Sequence, residues 1–460
     1  MRALFQRIGL LSLLLASLPL CGAAAAEESV TDRLQALEAE HQALRSELQW
    51  LRNNPVRLPA VTATPASMAS ASYAPQTHQQ TYYTMQELRA EMKRHAWRKG
   101  NFSIVPYGFL WANMVYETER SNSGDYTLWV LSADDEGEDA FHVNARSTRL
   151  GINVAGPRLR CFGCAKSGGK VEIDFHGNFA VENKPGVLLR HAYWEVKDDT
   201  FRFVAGQTWD VIAPLNPGTI MYSVYWGGGN IGYRRAQFRA ERYVRLTDST
   251  LLTLQGSLNT DAGTDIGRTS PNTGDHAGWP MLEGRVALTL ANCNPCVKPI
   301  TVGVSGHIGE QIFDFVGADD TARRTWSGNI DLRVPITKRL GFQGEIYTGE
   351  NLATFLGGIV QGVDIGTERA IRDNGGWMEI WYKLSPRLHT HWGYGLDDPE
   401  DADLSDATDR TYNQFYFGNI VYDATDKLTV GFEVSSWKTL YLGQRPGEDV
   451  RFEFMAKYGF

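Results

Sequence analysis

The chain has 460 residues, 45 Lys+Arg against 53 Asp+Glu, and a formal net charge of −8. This mildly acidic balance lacks the basic footprint that nucleic-acid binding needs. No apolar run beyond the extreme N-terminus reaches about 18 residues, which excludes a membrane-spanning helix but not a barrel.

Residues 1–26 read as a secretory signal. Arg2 and Arg7 form the positive start, Ile8 to Leu20 the apolar stretch, and Ala23 to Ala26 the small residues for cleavage. Cys21 is a poor lipidation site because bulky Leu20 precedes it. The mature chain is expected in an oxidising compartment.

Residues 27–53 carry a heptad seam. Val30, Leu34, Leu37, Leu44, Leu48 and Leu51 alternate steps of four and three, with His41 in the one gap. Arg33, Glu40 and Glu47 each oppose in charge the residue five places on (Glu38, Arg45, Arg52), as parallel chains in register require. The seam therefore predicts a coiled coil that oligomerises the chain. The alternative is one amphipathic helix packed on the rest of the protein. Residues 54–83, rich in Ala, Pro, Thr, Ser and Gln, predict an extended linker. Residues 84–100 predict a short helix, capped by Thr84 and Glu87, that leads into the next domain.

From residue 101 to 460 the apolar period becomes two. In the last segment Val450, Phe452, Phe454, Ala456, Tyr458 and Phe460 form one face, and Arg451, Glu453, Met455 and Lys457 the other. About sixteen such segments recur, within the porin range. They lie near 103–114, 146–155, 170–180, 188–197, 201–209, 235–246, 251–259, 281–290, 299–308, 325–335, 340–349, 376–384, 388–396, 412–422, 427–438 and 449–460. Connections after even-numbered segments are mostly short, such as Lys197–Thr200 and Ser385–Arg387, whereas those after odd-numbered segments are mostly long, such as 115–145, 210–234 and 350–375. Short periplasmic turns alternating with long external loops mark an outer-membrane barrel. Lipid cannot satisfy backbone donors, so only a closed sheet survives there. The expected fold is all-β: a transmembrane antiparallel barrel of about sixteen strands, preceded by an α-helical coiled coil in the periplasm.

Three stretches, Ser147-Thr-Arg-Leu-Gly151, Leu189-Arg-His-Ala-Tyr193 and Ala205-Gly-Gln-Thr-Trp209, together with the order of signal, coiled coil, barrel and terminal Phe460, resemble the trimeric DcaP-like porins and, more distantly, the phosphate-selective porins. The similarity covers the first third of the barrel in motif and the rest in pattern. The resemblance implies a homotrimer that passes small anions such as dicarboxylates. The cysteines and the Ala/Pro-rich linker are not part of it.

The sixth strand is unusually basic. Arg235, Gln237, Arg239, Glu241, Tyr243 and Arg245 share one face. Arg202 and Arg149 fall on the expected lumen faces of the fifth and second strands, and the fourth adds Arg190 or His191. Guanidinium groups there would attract anions and grip carboxylate or phosphate with two bonds. The alternative is that they pair with Glu172, Asp174, Glu195 and Glu241 in a neutral network bracing the wall. The segment 210–230, which includes Asp210, Asn216, Tyr222, Tyr225 and Asn230, lacks alternation and carries Pro214, Pro217 and three consecutive glycines. It is expected to fold into the lumen as a constriction; the alternative is a surface loop or subunit contact. Gly227, Gly229 and Gly232 match G-x-G-x-x-G, but no strand–helix context supports a dinucleotide.

Cys161-Cys164 and Cys293-Cys296 form two CxxC pairs. A barrel of sixteen strands is about 30 Å across, so the two turns lie too far apart to share one zinc ion. Local disulfides stapling two turns are the expected reading. The acidic runs Asp134–Asp139 and Asp397–Asp403 are expected to be solvated rather than cation-binding. No G-x-S-x-G is present, and neither His176 nor His307 has an evident nucleophile partner in sequence, so an enzyme built on the barrel is not expected. A structural tether is the other alternative. The expected partners are outer-membrane lipid and lipopolysaccharide, small solutes and further copies of the chain, joined through Leu34, Leu37, Leu44, Leu48 and Leu51. No cofactor or metal is expected.

Overall fold

A computed structural model describes residues 97–135, 137–177, 186–261, 275–292, 297–313 and 321–460. The expected signal, coiled coil, linker and most of the short helix fall on residues 1–96, outside the described residues, as do Cys293 and Cys296.

Sixteen strands among the described residues close into one antiparallel barrel. In chain order they are β1 Phe102–Glu117, β2 Arg149–Leu159, β3 Ala165–Asp174, β4 Leu188–Lys197, β5 Phe201–Trp209 and β6 Arg234–Thr247. Then come β7 Thr250–Asn259, β8 Met281–Leu290, β9 Ile300–Phe313, β10 Thr321–Pro335 and β11 Leu340–Glu350. The last five are β12 Arg372–Lys383, β13 Leu388–Pro399, β14 Arg410–Asp423, β15 Leu428–Tyr441 and β16 Gly447–Gly459. Each strand pairs with its neighbours in sequence, and β1 closes the cylinder against β16 from Phe109↔Gly459 to Glu117↔Arg451. Closure removes every edge, so the ladder leaves no row of unpaired backbone groups at a rim strand.

The side-chain distribution is inverted relative to a globular core. Large apolar residues such as Leu110, Phe238, Val304, Ile346, Trp392 and Phe454 are exposed on the outer face. Charged and polar residues such as Glu172, Arg190, Gln237, Asp331, Glu345 and Glu453 are buried inside. Alternation produces both faces at once, because successive side chains leave a strand on opposite sides.

The structure departs from expectation at several strand ends, two of them instructive. Residues 97–99 are not the end of a helix. They form an extended segment paired with Phe102–Ile104, and Gly100 at φ 58° is the first residue of a two-residue hairpin loop. The third strand begins at Ala165, five residues before the alternation starts, because Ser167, Gly168 and Gly169 pair in the ladder without a two-faced pattern.

The apolar core sits at the long-loop end of the lumen. Tyr126, Leu128, Trp129 and Val130 come from the β1–β2 connection, and Met221, Tyr222, Tyr225 and Trp226 from the β5–β6 connection. Leu356, Ile359 and Val360 come from the β11–β12 connection, and the three groups pack against Trp377, Phe415, Phe417 and Trp437 of the wall.

Candidate functional site

The segment between β5 and β6 runs inside the barrel. Its path follows a row of inward carboxylates. Val211 N donates to Glu283 Oε2 at 2.6 Å, Leu215 N to Glu345 Oε1 at 2.8 Å, Gly218 N to Glu379 Oε2 at 2.6 Å and Ile220 N to Glu433 Oε2 at 3.1 Å. These acids stand on β8, β11, β12 and β15, so the loop crosses the lumen along that side of the wall. Hydrogen bonds from backbone amides to carboxylates are among the strong ones. Asn216 O accepts from Gln343 Nε2 at 2.9 Å, and Gly218 O from Asn419 Nδ2 at 2.7 Å.

The return of the loop is held by rings and glycines. Tyr225 stacks on Phe415 with centroids 3.9 Å apart and donates to Glu433 at 2.8 Å. Asn230 donates to Val224 O at 2.7 Å. Gly229, at φ 109°, passes so close to the wall that a Cβ would lie 2.3 Å from Gly376 O and 2.4 Å from Leu396 O. The G-x-G-x-x-G run is therefore a device for close backbone approach.

On the opposite wall the basic residues sort into two groups. Most are neutralised. Arg190 binds Glu172 at 2.9 Å and Asp174 at 2.7 Å, and Arg202 binds Glu195 at 2.7 Å and Glu241 at 3.4 Å. Arg239 bonds Gln237 at 2.7 Å and Glu241 at 3.4 Å. Arg235 is fully enclosed, paired with Asp210 and donating to Thr354 O at 2.6 Å. It fastens loops and does not face open lumen. Arg245 is exposed at the short-turn end of β6. For Arg190, Arg202, Arg235 and Arg239 the bracing network is thus the arrangement found.

Two guanidinium groups stand apart. Arg149 lies over Phe109 at 5.3 Å and Arg234 over Trp209 at 4.7 Å. Among the described residues neither has a carboxylate within ion-pair distance. Arg234 is only 3 % exposed, and among the described residues its three enclosed side-chain nitrogens make no hydrogen bond of good geometry. Both line a cavity of about 320 Å³ with Lys170, Glu172, Arg190, His191, Trp209, Asn216, Tyr222, Val224 and Trp226.

The sequence reading brought Arg149, Arg190, Asn216 and Tyr222 to this cavity. It missed Arg234, Lys170, Trp209 and Trp226. Alternation carried back from Arg235 would turn Arg234 outward, but alternation ends at the first residue of the strand. The one legible signal was the cross-strand pairing of Arg234 with Trp209 at the mouth of the loop. The ambiguous phase of β4 has a structural cause. The register shifts between Glu172 and Ile173, leaving Arg190 unpaired between Leu189 and His191, so both Arg190 and His191 point inward.

Several other candidates are corrected. Cys161 and Cys164 are free, exposed thiols, not the expected disulfide. Their turn is closed by backbone bonds instead, from Gly163 N to Arg160 O at 3.2 Å and from Cys164 N to Leu159 O at 3.0 Å. Asp397 is not a solvated loop residue: it is buried on β13 and accepts from Ile359 N at 3.1 Å. No group of three or more metal-ligating side chains occurs among the described residues. Both histidines do have hydroxyl neighbours: His176 Nε2 lies 3.2 Å from Ser147 Oγ, and His307 lies 2.8 Å from both Ser327 and Thr325. Neither forms a triad. His176 Nδ1 has no partner among the described residues, and burial with nearby Arg146 pushes its imidazole down to about 2. His307 spends both nitrogens on hydroxyls.

No family model matches the chain, and no curated protein matches its sequence. Solved structures do. The outer-membrane channel DcaP of Acinetobacter baumannii superposes with a TM-score of 0.63 over 79 % of this chain and 99 % of that one, at 19 % identity. The fold is that of a porin barrel. OprB of Pseudomonas putida gives 0.52 over 82 % and 97 % at 10 % identity. An anion-selective porin from Comamonas acidovorans gives 0.50 over 78 % and 100 % at 12 % identity. The resemblance to DcaP-like porins drawn from short motifs in the first third of the barrel thus extends over the whole cylinder as a likeness of fold.

Proposed function

We propose that the protein is an outer-membrane porin: a passive, water-filled route for small hydrophilic solutes, narrowed by the 210–233 loop and biased toward small anions. The closed, outwardly apolar cylinder supports the membrane location, since among sheets only a closed one leaves no backbone group unsatisfied in lipid. The loop, fastened to the acidic wall, leaves a cavity of about 320 Å³ between itself and the basic one. The observation that carries the anion preference is the pair of residues Arg149 and Arg234, which line the lumen cavity with no carboxylate at ion-pair distance among the described residues. A fixed positive charge in a narrow, low-dielectric passage raises the local anion concentration and repels cations. The chain assembles as a trimer through the Leu34–Leu51 seam in the periplasm, a reading supported by the heptad spacing and the family resemblance.

Single-channel recording of the purified full chain in planar bilayers tests this. Discrete conductance steps with a reversal potential displaced toward that of chloride in a KCl gradient are expected. A chain that inserts without conductance would leave only a tethering role.

A further inference from the structure

His389 and His391 stand two residues apart on β13, so both rings leave the strand on one side, into the lumen near its short-turn end. The next residue, Trp392, is exposed on the outer face. The two imidazole planes are nearly perpendicular, at 82°, with centroids 5.3 Å apart, and His389 Nδ1 lies 3.2 Å from His391 Nε2. A zinc ion held tetrahedrally by two imidazole nitrogens, each at about 2.0–2.1 Å, sets those nitrogens about 3.3 Å apart. The observed separation is close to that bite.

The other nitrogen of His391 decides how this one is used. Nδ1 faces Glu379 Oε1 at 3.3 Å. A carboxylate oxygen only accepts, so Nδ1 carries the proton and Nε2 of the neutral ring turns its lone pair toward His389. A carboxylate that holds the far N–H in this way is the usual support of a metal-bound imidazole. Glu379 is itself fixed: Oε1 accepts from Gln343 Nε2 at 2.8 Å and Oε2 from Gly218 N at 2.6 Å. Gly218 of the inserted loop also lies against the imidazole, where a Cβ would fall onto the ring. The His391 ring is therefore oriented by β12 and by the loop before any ligand arrives.

We propose that His389 and His391 form a chelate for a divalent transition-metal ion such as Cu²⁺ or Zn²⁺, bound by His389 Nδ1 and His391 Nε2, with water completing its shell and Glu379 as a positioning residue. Binding replaces the hydrogen bond between the rings, and the His389 proton passes through water to its own Nε2. Imidazole suits these ions, whereas Ca²⁺ and Mg²⁺ require oxygen ligands. Charge alone would not gather a cation at His389, because Asp423 is set there against Lys383 and Lys457. The assignment goes beyond the pore reading and does not depend on it.

The test uses the full, untagged chain in detergent, with its accessible thiols alkylated so that Cys161 and Cys164 neither bind nor reduce the ion. Cu²⁺ is added below one equivalent and followed by electron paramagnetic resonance. Splitting by two imidazole nitrogens is expected, and it should be lost in His389→Gln. By equilibrium dialysis His389→Gln should bind Cu²⁺ at least about tenfold more weakly, no less than the loss of a mere supporting partner costs. His389 is half-buried near a strand end, so the variant should keep the strand content of the native chain by circular dichroism. His391→Gln should lose the same splitting, and excess Ca²⁺ should not displace the ion. A native spectrum with oxygen ligands alone, or a two-nitrogen spectrum that survives in both variants, overturns the assignment. Neither readout uses current, so the pore reading stands or falls separately.

Discussion

Asp210 and Arg235 form a buried ion pair across the neck of the inserted loop, joining its first residue to the strand that receives its end. The same guanidinium lies 3.6 Å over the Phe355 ring and donates to Thr354 O, so it also holds the β11–β12 connection. Removing one partner leaves the other charged and buried, at a cost of about 3–5 kcal/mol. Arg235→Ala is therefore expected to loosen both loops, giving larger and noisier single-channel currents and protease cleavage within 210–233. The double change Asp210→Ala with Arg235→Ala should recover part of the loss, because no unpaired charge remains.

Glu433 gathers more of the loop than any other acid of the row. It accepts from Thr219 Oγ1 at 2.6 Å, Ile220 N at 3.1 Å, Tyr225 Oη at 2.8 Å and Asn419 Nδ2 at 2.8 Å. Glu433→Gln has one carbonyl oxygen to serve these four donors, and leaving buried donors unmatched costs about 1–3 kcal/mol. Faster amide hydrogen exchange over 211–225, with the barrel strands unchanged, is the expected result.

Gly229 sets the distance between loop and wall. Gly229→Ala places a methyl group against Gly376 O and Leu396 O at a φ of 109°, a conformation that costs a non-glycine residue about 1–3 kcal/mol before any clash. The variant is expected to lose heat resistance of the folded band on gels run in detergent. Unchanged migration would show that the loop can lift without penalty.

Asp403, in the connection after β13, binds Arg372 at 2.8 Å, and this bond is the main cause of a carboxyl held below the usual range. A depressed value stabilises the folded loop above the carboxyl's ordinary value, and the contribution is lost as pH falls through the folded value. The connection 400–409 should therefore lose protection against amide hydrogen exchange, measured relative to the intrinsic chemical rate at each pH, as the pH is taken below the ordinary carboxyl range. The Arg372 side chain is 57 % exposed, so salt should weaken the effect.

Alternation made the wall legible, because a strand between lipid and water has a sequence consequence at every position. Val450 to Phe460 displays it without interruption. Where glycine lines the wall the record fades: Gly168 and Gly169 hid the start of β3, and Gly375 and Gly376 that of β12. The interior was harder to read. Glu283, Glu345, Glu379 and Glu433 are separated by 150 residues of sequence, and only the inserted loop shows that they act as one rail. Arg235 and Arg239 have the same pattern in sequence as a pore-lining residue, and only their neighbours make them braces. Arg234 was hidden by its place at the end of the alternation. No periodicity distinguishes the free thiols of Cys161 and Cys164 from a bridged pair.

Reversal potential in a KCl gradient, compared between the native chain and the Arg149→Gln, Arg234→Gln double variant, tests the central claim most directly. The native pore should reverse toward the chloride potential, and the double variant should move to or past zero. A native pore that prefers potassium, or a double variant that keeps the native potential, would contradict it.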